Sequence, residues 1–246
     1  MTFKRFERQI QIPEIGIEGQ RKIKRAKVLL VGVGGLGSPV AYYLAAAGVG
    51  RIGIADGDRV EMTNLNRQFL HTPERIGMLK VESAEQTIRT FNPETKVFVY
   101  PERLSSVDEA IRIIKGYDVI IDCCDNYPTR FTLNTACIQT RKPLIYGAVS
   151  GFEGQVMTII PGKGPCYQCL YPSSPPPSEV HNSSGVIGVS PGMVGCIQAT
   201  EALKYILGVG ALLVGRLLFV DLLEMTFSLL AVGRNKSCPA CANEYC

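Results

Sequence analysis

Val31-Gly-Val-Gly-Gly-Leu-Gly-Ser38 closes one β-branched run and opens an alanine-rich helical one. Gly32, Gly34 and Gly37 take the G-x-G-x-x-G spacing between strand and helix, with Gly35 inside the loop. Glycine permits the tight turn and lets the backbone approach a phosphate at the positive end of a helix. Asp56 ends the next β-branched run, the place from which an acid reaches ribose hydroxyls. Glycines that serve only a turn are the poorer reading of this arrangement. The motif does not choose among NAD, FAD and ATP.

Outward from that loop the chain keeps one rhythm. Strands are expected over Lys27–Val31, Arg51–Ala55, Lys96–Tyr100, Asp118–Asp122 and Pro143–Ala148, alternating with helices over Gly37–Ala47, Lys80–Phe91, Ser106–Lys115 and Thr129–Thr140. Such alternation predicts a Rossmann-like, doubly wound α/β fold with a mainly parallel sheet. After residue 150 the pattern changes. Gln155–Ile160, Arg216–Asp221 and Glu224–Val232 read as antiparallel strands that extend the sheet, with one long helix near Met193–Leu207. The chain therefore reads as a single domain, with a nucleotide-binding half at 1–150 and a substrate-binding half at 151–246. A proline- and serine-rich segment, 171–184, cannot be helix or central strand and is expected to cross between the halves as an exposed, mobile loop.

Composition narrows the function classes. The chain has 246 residues, 46% hydrophobic and 20% charged, with a net charge of +4 that is too small to suggest a nucleic-acid partner. The first residues contain no apolar core of a signal peptide. The most apolar stretch, 185–215, carries Glu201, Lys204 and several glycines, so a buried helix is expected there and not a membrane span. Nine cysteines without a secretory signal point to a reducing, cytoplasmic setting in which thiols bind metal before they form disulfides. With only His71 and His181, histidine acid–base chemistry has little to draw on. His71 is expected to pack or cap, and His181 to be an exposed loop residue.

The segment after Asp56 decides the ligand. Asp58-Arg-Val-Glu-Met-Thr-Asn-Leu-Asn-Arg-Gln68 brings Asn64, Arg67 and Gln68; Lys80 follows at a helix start, and Asp122-Cys-Cys-Asp-Asn126 follows a strand. All are expected at the carboxyl edge of the sheet, where ligands bind. Hydride transfer needs none of them, whereas a triphosphate with Mg²⁺ needs both cations and hard oxygen ligands. Taken singly, Arg67 and Lys80 read as solvated charges and Asp125 as a helix cap. Their joint placement at successive strand ends argues for a site.

With these residues, the chain resembles the ThiF/MoeB/HesA family, the bacterial and archaeal relatives of ubiquitin-activating enzymes. Arg8-Gln-Ile, Val31-Gly-Val-Gly-Gly-Leu-Gly, Ile54-Ala-Asp-Gly-Asp, Thr63-Asn-Leu-Asn-Arg-Gln, Gly77-Met-Leu-Lys-Val-Glu and Asp122-Cys-Cys-Asp-Asn carry the resemblance, along with two cysteine pairs. It implies an ATP-dependent adenylating homodimer. Asp56 would hold the ribose; Asn64, Arg67 and Lys80 the phosphates; Asp125 Mg²⁺; and Arg8 would reach into the neighbouring subunit's nucleotide site. Gly35, Asp58, Gln68 and Asn126 complete the expected nucleotide-binding set. Adenylation joins a carboxylate to the α-phosphate and expels pyrophosphate. A terminal carboxyl with a pKa of roughly 3.5 is already ionised, so no general base is needed. Alignment and charge neutralisation suffice, in the hands of Arg67, Lys80, Asp125 and Arg8.

Cys166-Tyr-Gln-Cys169 and Cys238-Pro-Ala-Cys241 can together supply four thiolates to a closed, structural zinc site. A redox dithiol is the rival reading. Cys123, Cys124, Cys137 and Cys196 are expected in the core, and Cys246 supports no reading. Family members that form a thioester or persulfide carry a cysteine in the crossing loop. Here none lies between Cys169 and Cys196, and the position falls at or near His181. Covalent handoff on that loop is not expected, and with no rhodanese-like segment any sulfur would come from a separate protein. Activation of the C-terminal glycine of a ubiquitin-fold sulfur carrier, as in molybdopterin or thiamine synthesis, is the leading expectation. The same chemistry on a peptide or small-molecule acid, an NAD-dependent oxidoreductase, and a carrier-binding pseudoenzyme are its competitors.

Overall fold

Residues Val28–Val31 are all buried and apolar, as a strand covered on both faces must be. In the computed structural model, which describes residues 3–173 and 185–242, they form β1 (Lys27–Val31). It is flanked by β2 (Arg51–Ala55), β3 (Lys96–Tyr100), β4 (Val119–Asp122) and β5 (Leu144–Ser150) in a parallel array. β6 (Glu153–Ile159), β7 (Arg216–Asp221) and β8 (Thr226–Ala231) add antiparallel strands, giving the order β3-β2-β1-β4-β5-β6-β7-β8. The expected Rossmann-like sheet with an antiparallel extension is the observed one. Three of the five parallel strands occupy the residues read from sequence.

Side chains alternate between the two faces. Val28, Leu30, Ile52, Ile54, Val119, Ile121 and Ile145 pack under α3 (Gly37–Ala47), α4 (Lys80–Phe91) and α8 (Val189–Leu207). Leu29, Val31, Ile120, Leu144 and Tyr146 pack under α5 (Val107–Ile114), α6 (Tyr127–Thr140) and the short α7 (Tyr167–Leu170). Each fully buried aliphatic chain contributes about 1.5–3 kcal/mol.

Four features differ from expectation. Before β1 lie α1 (Glu7–Ile10), a single turn too short to show a periodicity, and α2 (Gly16–Arg25), which glycines at 16 and 19 obscure in the sequence. α2 packs by its Gln20 side chain, whose Nε2 donates to the Ala47 carbonyl at 3.0 Å. α8 begins at Val189, ahead of the expected Met193, because Pro191 falls in its first turn, where a missing N–H costs nothing. β8 is exposed along its whole length, with Phe227, Leu229 and Leu230 all at least half exposed. Finally, Cys123, Cys124 and Cys137 are buried as expected, but Cys196 is only partly covered, since its helix face is not fully packed.

Most of segment 171–184, with His181, and the terminal Cys246 lie outside the described residues. No helix among the described residues is long and apolar enough to cross a membrane.

Candidate active site

The sheet reverses its winding between β1 and β4, whose ends pair Val31 with Asp122. Ligands bind at such a switch point. The glycine loop there has almost no clearance. Gly32 has φ +95°, and a Cβ on it would lie 2.5 Å from the Cys123 carbonyl oxygen. A Cβ on Gly37 would collide with the Gly32 carbonyl. Gly34 instead faces the side-chain amide of Gln68, and Gly35 the ring of Pro191 in α8. Ser38 Oγ donates to the Gly34 carbonyl at 2.8 Å and holds the first turn of α3 against the loop.

Asp56 sits behind this loop. Its Oδ2 accepts from the Val33 N–H at 2.9 Å and its Oδ1 from the Asp58 N–H at 2.8 Å. Burial raises its pKa, and the Val33 N–H opposes the rise. Asp58 turns the other way, towards two cations. Lys80 Nζ donates to its Oδ2 at 3.0 Å, and Arg103 donates to Oδ1 at 2.5 Å. Burial works against the Asp58 carboxylate, but these two hydrogen bonds outweigh it and lower its pKa. Lys80 is only 7% exposed, so it is no solvated surface charge.

The Asn64–Gln68 turn is built from its own side chains. Asn64 is buried, and its Oδ1 accepts from the Glu61 N–H at 3.0 Å, closing the 3₁₀ turn. Arg67 is partly exposed and is held by the Thr63 carbonyl at 2.8 Å and Asn66 Oδ1 at 2.9 Å. Gln68 is 5% exposed, yet its Oε1 is buried with no hydrogen-bond partner among the described residues. An orphaned acceptor beside a glycine loop is what a ligand hydroxyl or amine would satisfy.

At the end of β4 the two carboxylates separate into different roles. Asp122 is buried, accepting from the Cys124 N–H at 2.9 Å with Arg130 3.7 Å away. Burial raises its pKa, and the Arg130 charge counters this. Arg130 also donates to the Cys124 carbonyl at 2.8 Å. Asp125 is exposed, and it does not cap α6. Asn126 does, accepting from the Thr129 N–H at 3.0 Å. This leaves the Asp125 carboxylate at the site with no helix to serve.

Arg8 is not brought to these residues within one chain. It is exposed on α1. α1 is tied by Gln9 Nε2 to the Ala47 carbonyl at 2.8 Å, the end of α3 opposite the glycine loop. The 11 residues of α3 span about 16 Å.

Sequence reasoning missed two polar contributors, Arg103 and Arg130, and the partners of a third, His71. Arg103 follows the end of β3, the same strand-end rule that found the others. Arg130 lies one turn into the helix after Asp125. His71 is buried with Nδ1 3.0 Å from Ser83 Oγ and Nε2 3.0 Å from the Val33 carbonyl. Burial lowers its pKa to about 4, helped by the charges of Lys80 and Arg75, so the ring is neutral near pH 7. It packs, as expected, but against the glycine loop itself.

On the sheet face that carries α6 and α7, the four cysteines converge. Their Sγ atoms all lie within 4.8 Å of one another. Cys166 and Cys238 are 3.5 Å apart, Cys169 and Cys241 3.5 Å, and Cys166 and Cys169 3.9 Å. Four thiolates around one zinc at about 2.3 Å stand about 3.8 Å apart in a tetrahedron. A disulfide would need about 2.05 Å. The donor set thus fits a tetrahedral thiolate metal such as zinc. Asn134 Nδ2 lies 3.6 Å from Cys166 Sγ, a donor that orients the thiolate.

Comparison with known proteins follows the same lines. The ThiF family matches residues 6–240. A sulfur carrier protein adenylyltransferase from Thermus thermophilus is 47% identical, covering 98% of this chain and 91% of that protein. The SAMP-activating enzyme E1 of Haloferax volcanii is 45% identical, covering 96% of this chain and 88% of its own. An adenylyltransferase and sulfurtransferase MOCS3 from Drosophila yakuba is 48% identical over 88% of this chain, which spans only 48% of that protein. Escherichia coli MccB with ATP superposes with a TM-score of 0.86 at 23% identity, over 97% of this chain and 75% of the other. That last likeness speaks for the fold alone.

Proposed function

The chain belongs to the ThiF family, and from that premise we propose that it is an ATP-dependent adenylyltransferase acting on the C-terminal glycine of a ubiquitin-fold sulfur carrier. The observation that carries the reading is the row of strand ends around the glycine loop. Asp56 and Asp58 follow β2, Arg103 follows β3 and Asp125 follows β4, with Lys80 buried beside Asp58. A dinucleotide enzyme leaves this row without a purpose.

In this reading ATP lies across the glycine loop with its ribose on Asp56. Asn64, Arg67 and Lys80 hold the phosphates, with Gln68 Oε1 accepting from the nucleotide. Lys80 exchanges part of its pairing with Asp58 for phosphate oxygen, and Asp58 limits how far its ammonium can swing. Asp125 would hold Mg²⁺, which would supply charge neutralisation for the departing pyrophosphate. The carrier carboxylate attacks the α-phosphate, the bond to the β,γ-diphosphate breaks, and the acyl-adenylate and pyrophosphate result. No residue needs to take a proton. Alignment and charge do the rest. The four cysteines would hold a structural zinc. Residues 151–246 form the carrier-binding half, where exposed Phe227, Leu229 and Leu230 offer apolar area.

The test is ATP–pyrophosphate exchange with carriers ending in Gly-Gly. Exchange is expected only with the carrier present, and Mg·ATP, not NAD, is expected to raise the melting temperature. Exchange driven by a peptide or small acid but by no carrier would move the protein to the specialised branch of the same chemistry. Protection by NAD alone would end the adenylation reading.

Arg8 belongs to the proposal as a residue supplied by a second copy in a homodimer, since its own glycine loop lies at the other end of α3. Arg8→Ala and Arg67→Ala are each expected to be inactive alone. Mixing them restores one intact site per heterodimer, so roughly a quarter of wild-type exchange is expected from random pairing, in which half the dimers carry one good site of two. No recovery in a verified mixed dimer would exclude the shared site.

A further inference from the structure

His71 is a buried, titratable group to which the proposed chemistry gives no work. Its surroundings are unusually specific. A carbonyl oxygen can only accept, so the hydrogen bond to Val33 places the ring hydrogen on Nε2. In the neutral ring Nδ1 then accepts from the Ser83 hydroxyl, 3.0 Å away. Ser83 is in the first turn of α4, one turn beyond Lys80. Val33 lies between the first two glycines of the loop, and its N–H is already held by Asp56 at 2.9 Å. The loop residue is therefore fixed at both its polar atoms, one by the ribose acid and one by the histidine. The histidine is in turn fixed by the helix that bears the phosphate-binding lysine.

We infer that His71 is a positioning residue for ATP: through Nε2–H it holds the Val33 carbonyl, and so the glycine loop, at a set distance from the Lys80 helix. The inference rests on the reading that ATP phosphates lie over this loop. Nothing in it requires His71 to touch the nucleotide. Its ring merely stops the peptide after Val33 from turning its carbonyl towards the phosphates, where an oxygen would repel them.

A structural role predicts a loss of stability alone, and the two amide substitutions separate the cases. The glutamine amide nitrogen can occupy the place of Nε2 and donate to Val33. The asparagine amide reaches only the place of Nδ1 and the Ser83 hydroxyl. Binding of Mg·ATP to the full-length protein is measured by calorimetry, with melting temperature and exchange rate recorded for the same samples. Loss of one hydrogen bond that orients the loop is expected to weaken Mg·ATP about tenfold in His71→Asn, while His71→Gln stays within about threefold of wild type. Exchange at saturating ATP is expected to change little in either. His71→Leu, of similar size and with no donor, replaces asparagine should that variant fail to fold, with the same tenfold expectation. Equal ATP affinity in folded asparagine and glutamine variants would overturn the inference and leave His71 a core residue. Wild-type protein that does not bind Mg·ATP would overturn the site reading itself, a separate result.

Discussion

Asp125→Ala is expected to abolish carboxylate-dependent ATP–pyrophosphate exchange, by about a thousandfold or more, without unfolding the protein. The two halves of that statement come from different neighbours. Asp125 is exposed, and among the described residues its only side-chain hydrogen bond is a 3.4 Å contact from Asn126. The work of starting α6 falls to Asn126, and the work of holding the β4 end falls to Asp122 and Arg130. An exposed carboxylate with no structural partner contributes within about 0.5 kcal/mol to stability. Its removal therefore leaves the melting temperature nearly unchanged. In the proposed site, however, it would be the hard oxygen ligand for Mg²⁺, whose charge the departing pyrophosphate would lose with it. Asp125→Asn keeps an oxygen and loses the charge, so it should fall between. Near-normal exchange in a folded alanine variant would remove Asp125 from the chemistry.

Cys238→Ser should have the largest effect on stability. Cys238 is 1% exposed and its Sγ lies 3.5 Å from that of Cys166. The two pairs join residues just before segment 171–184 to the tail beyond β8. A structural zinc that closes such a loop contributes several kcal/mol, and a domain of this size loses about 2–4 °C in melting temperature per kcal/mol. A fall of about 10 °C or more is expected, together with loss of one zinc per chain by elemental assay. A strong chelator should reproduce both in the wild type. Cys137→Ser, also buried but outside the cluster, is expected to leave the zinc in place. Freshly purified protein without zinc, whose four thiols all react with a thiol reagent, would instead favour the redox dithiol.

Much of this was legible in the sequence because it depends on short-range rules. β1, β2 and β3 follow from runs of apolar residues between turn signals, and the glycine loop follows from its spacing. The strand-end rule then puts Asp56, Lys80 and Asp125 near one edge from the sequence alone. What sequence could not show is which polar group each of them faces. Asp58 belongs to the expected nucleotide-binding set, and the sequence does not show that in the fold it also braces Lys80 and Arg103. Asp125 was weighed as a helix cap, and the cap is the next residue. The cost of exchanging them is small locally, since both are good cap residues, so propensity alone cannot decide. His71 was harder still, because its partners come from an adjacent helix and from a loop 38 residues away. α2 and the first turn of α8 are hidden by glycine and proline at positions where packing or a helix start tolerates them, and α1 by being a single turn.

β8 carries a further consequence. The strand Thr226-Phe-Ser-Leu-Leu-Ala231 contains no charge and no proline, and it stands at the open edge of the sheet. Natural edges usually deter stray strands with lysine, proline or a bulge. This one has no such deterrent along its length, which makes it a template for chains of its own kind as well as for a proper partner. The stability of the folded monomer and its solubility are thus separate properties here. Whatever covers β8 governs the second, so the protein's colloidal behaviour is set by its company rather than by its core.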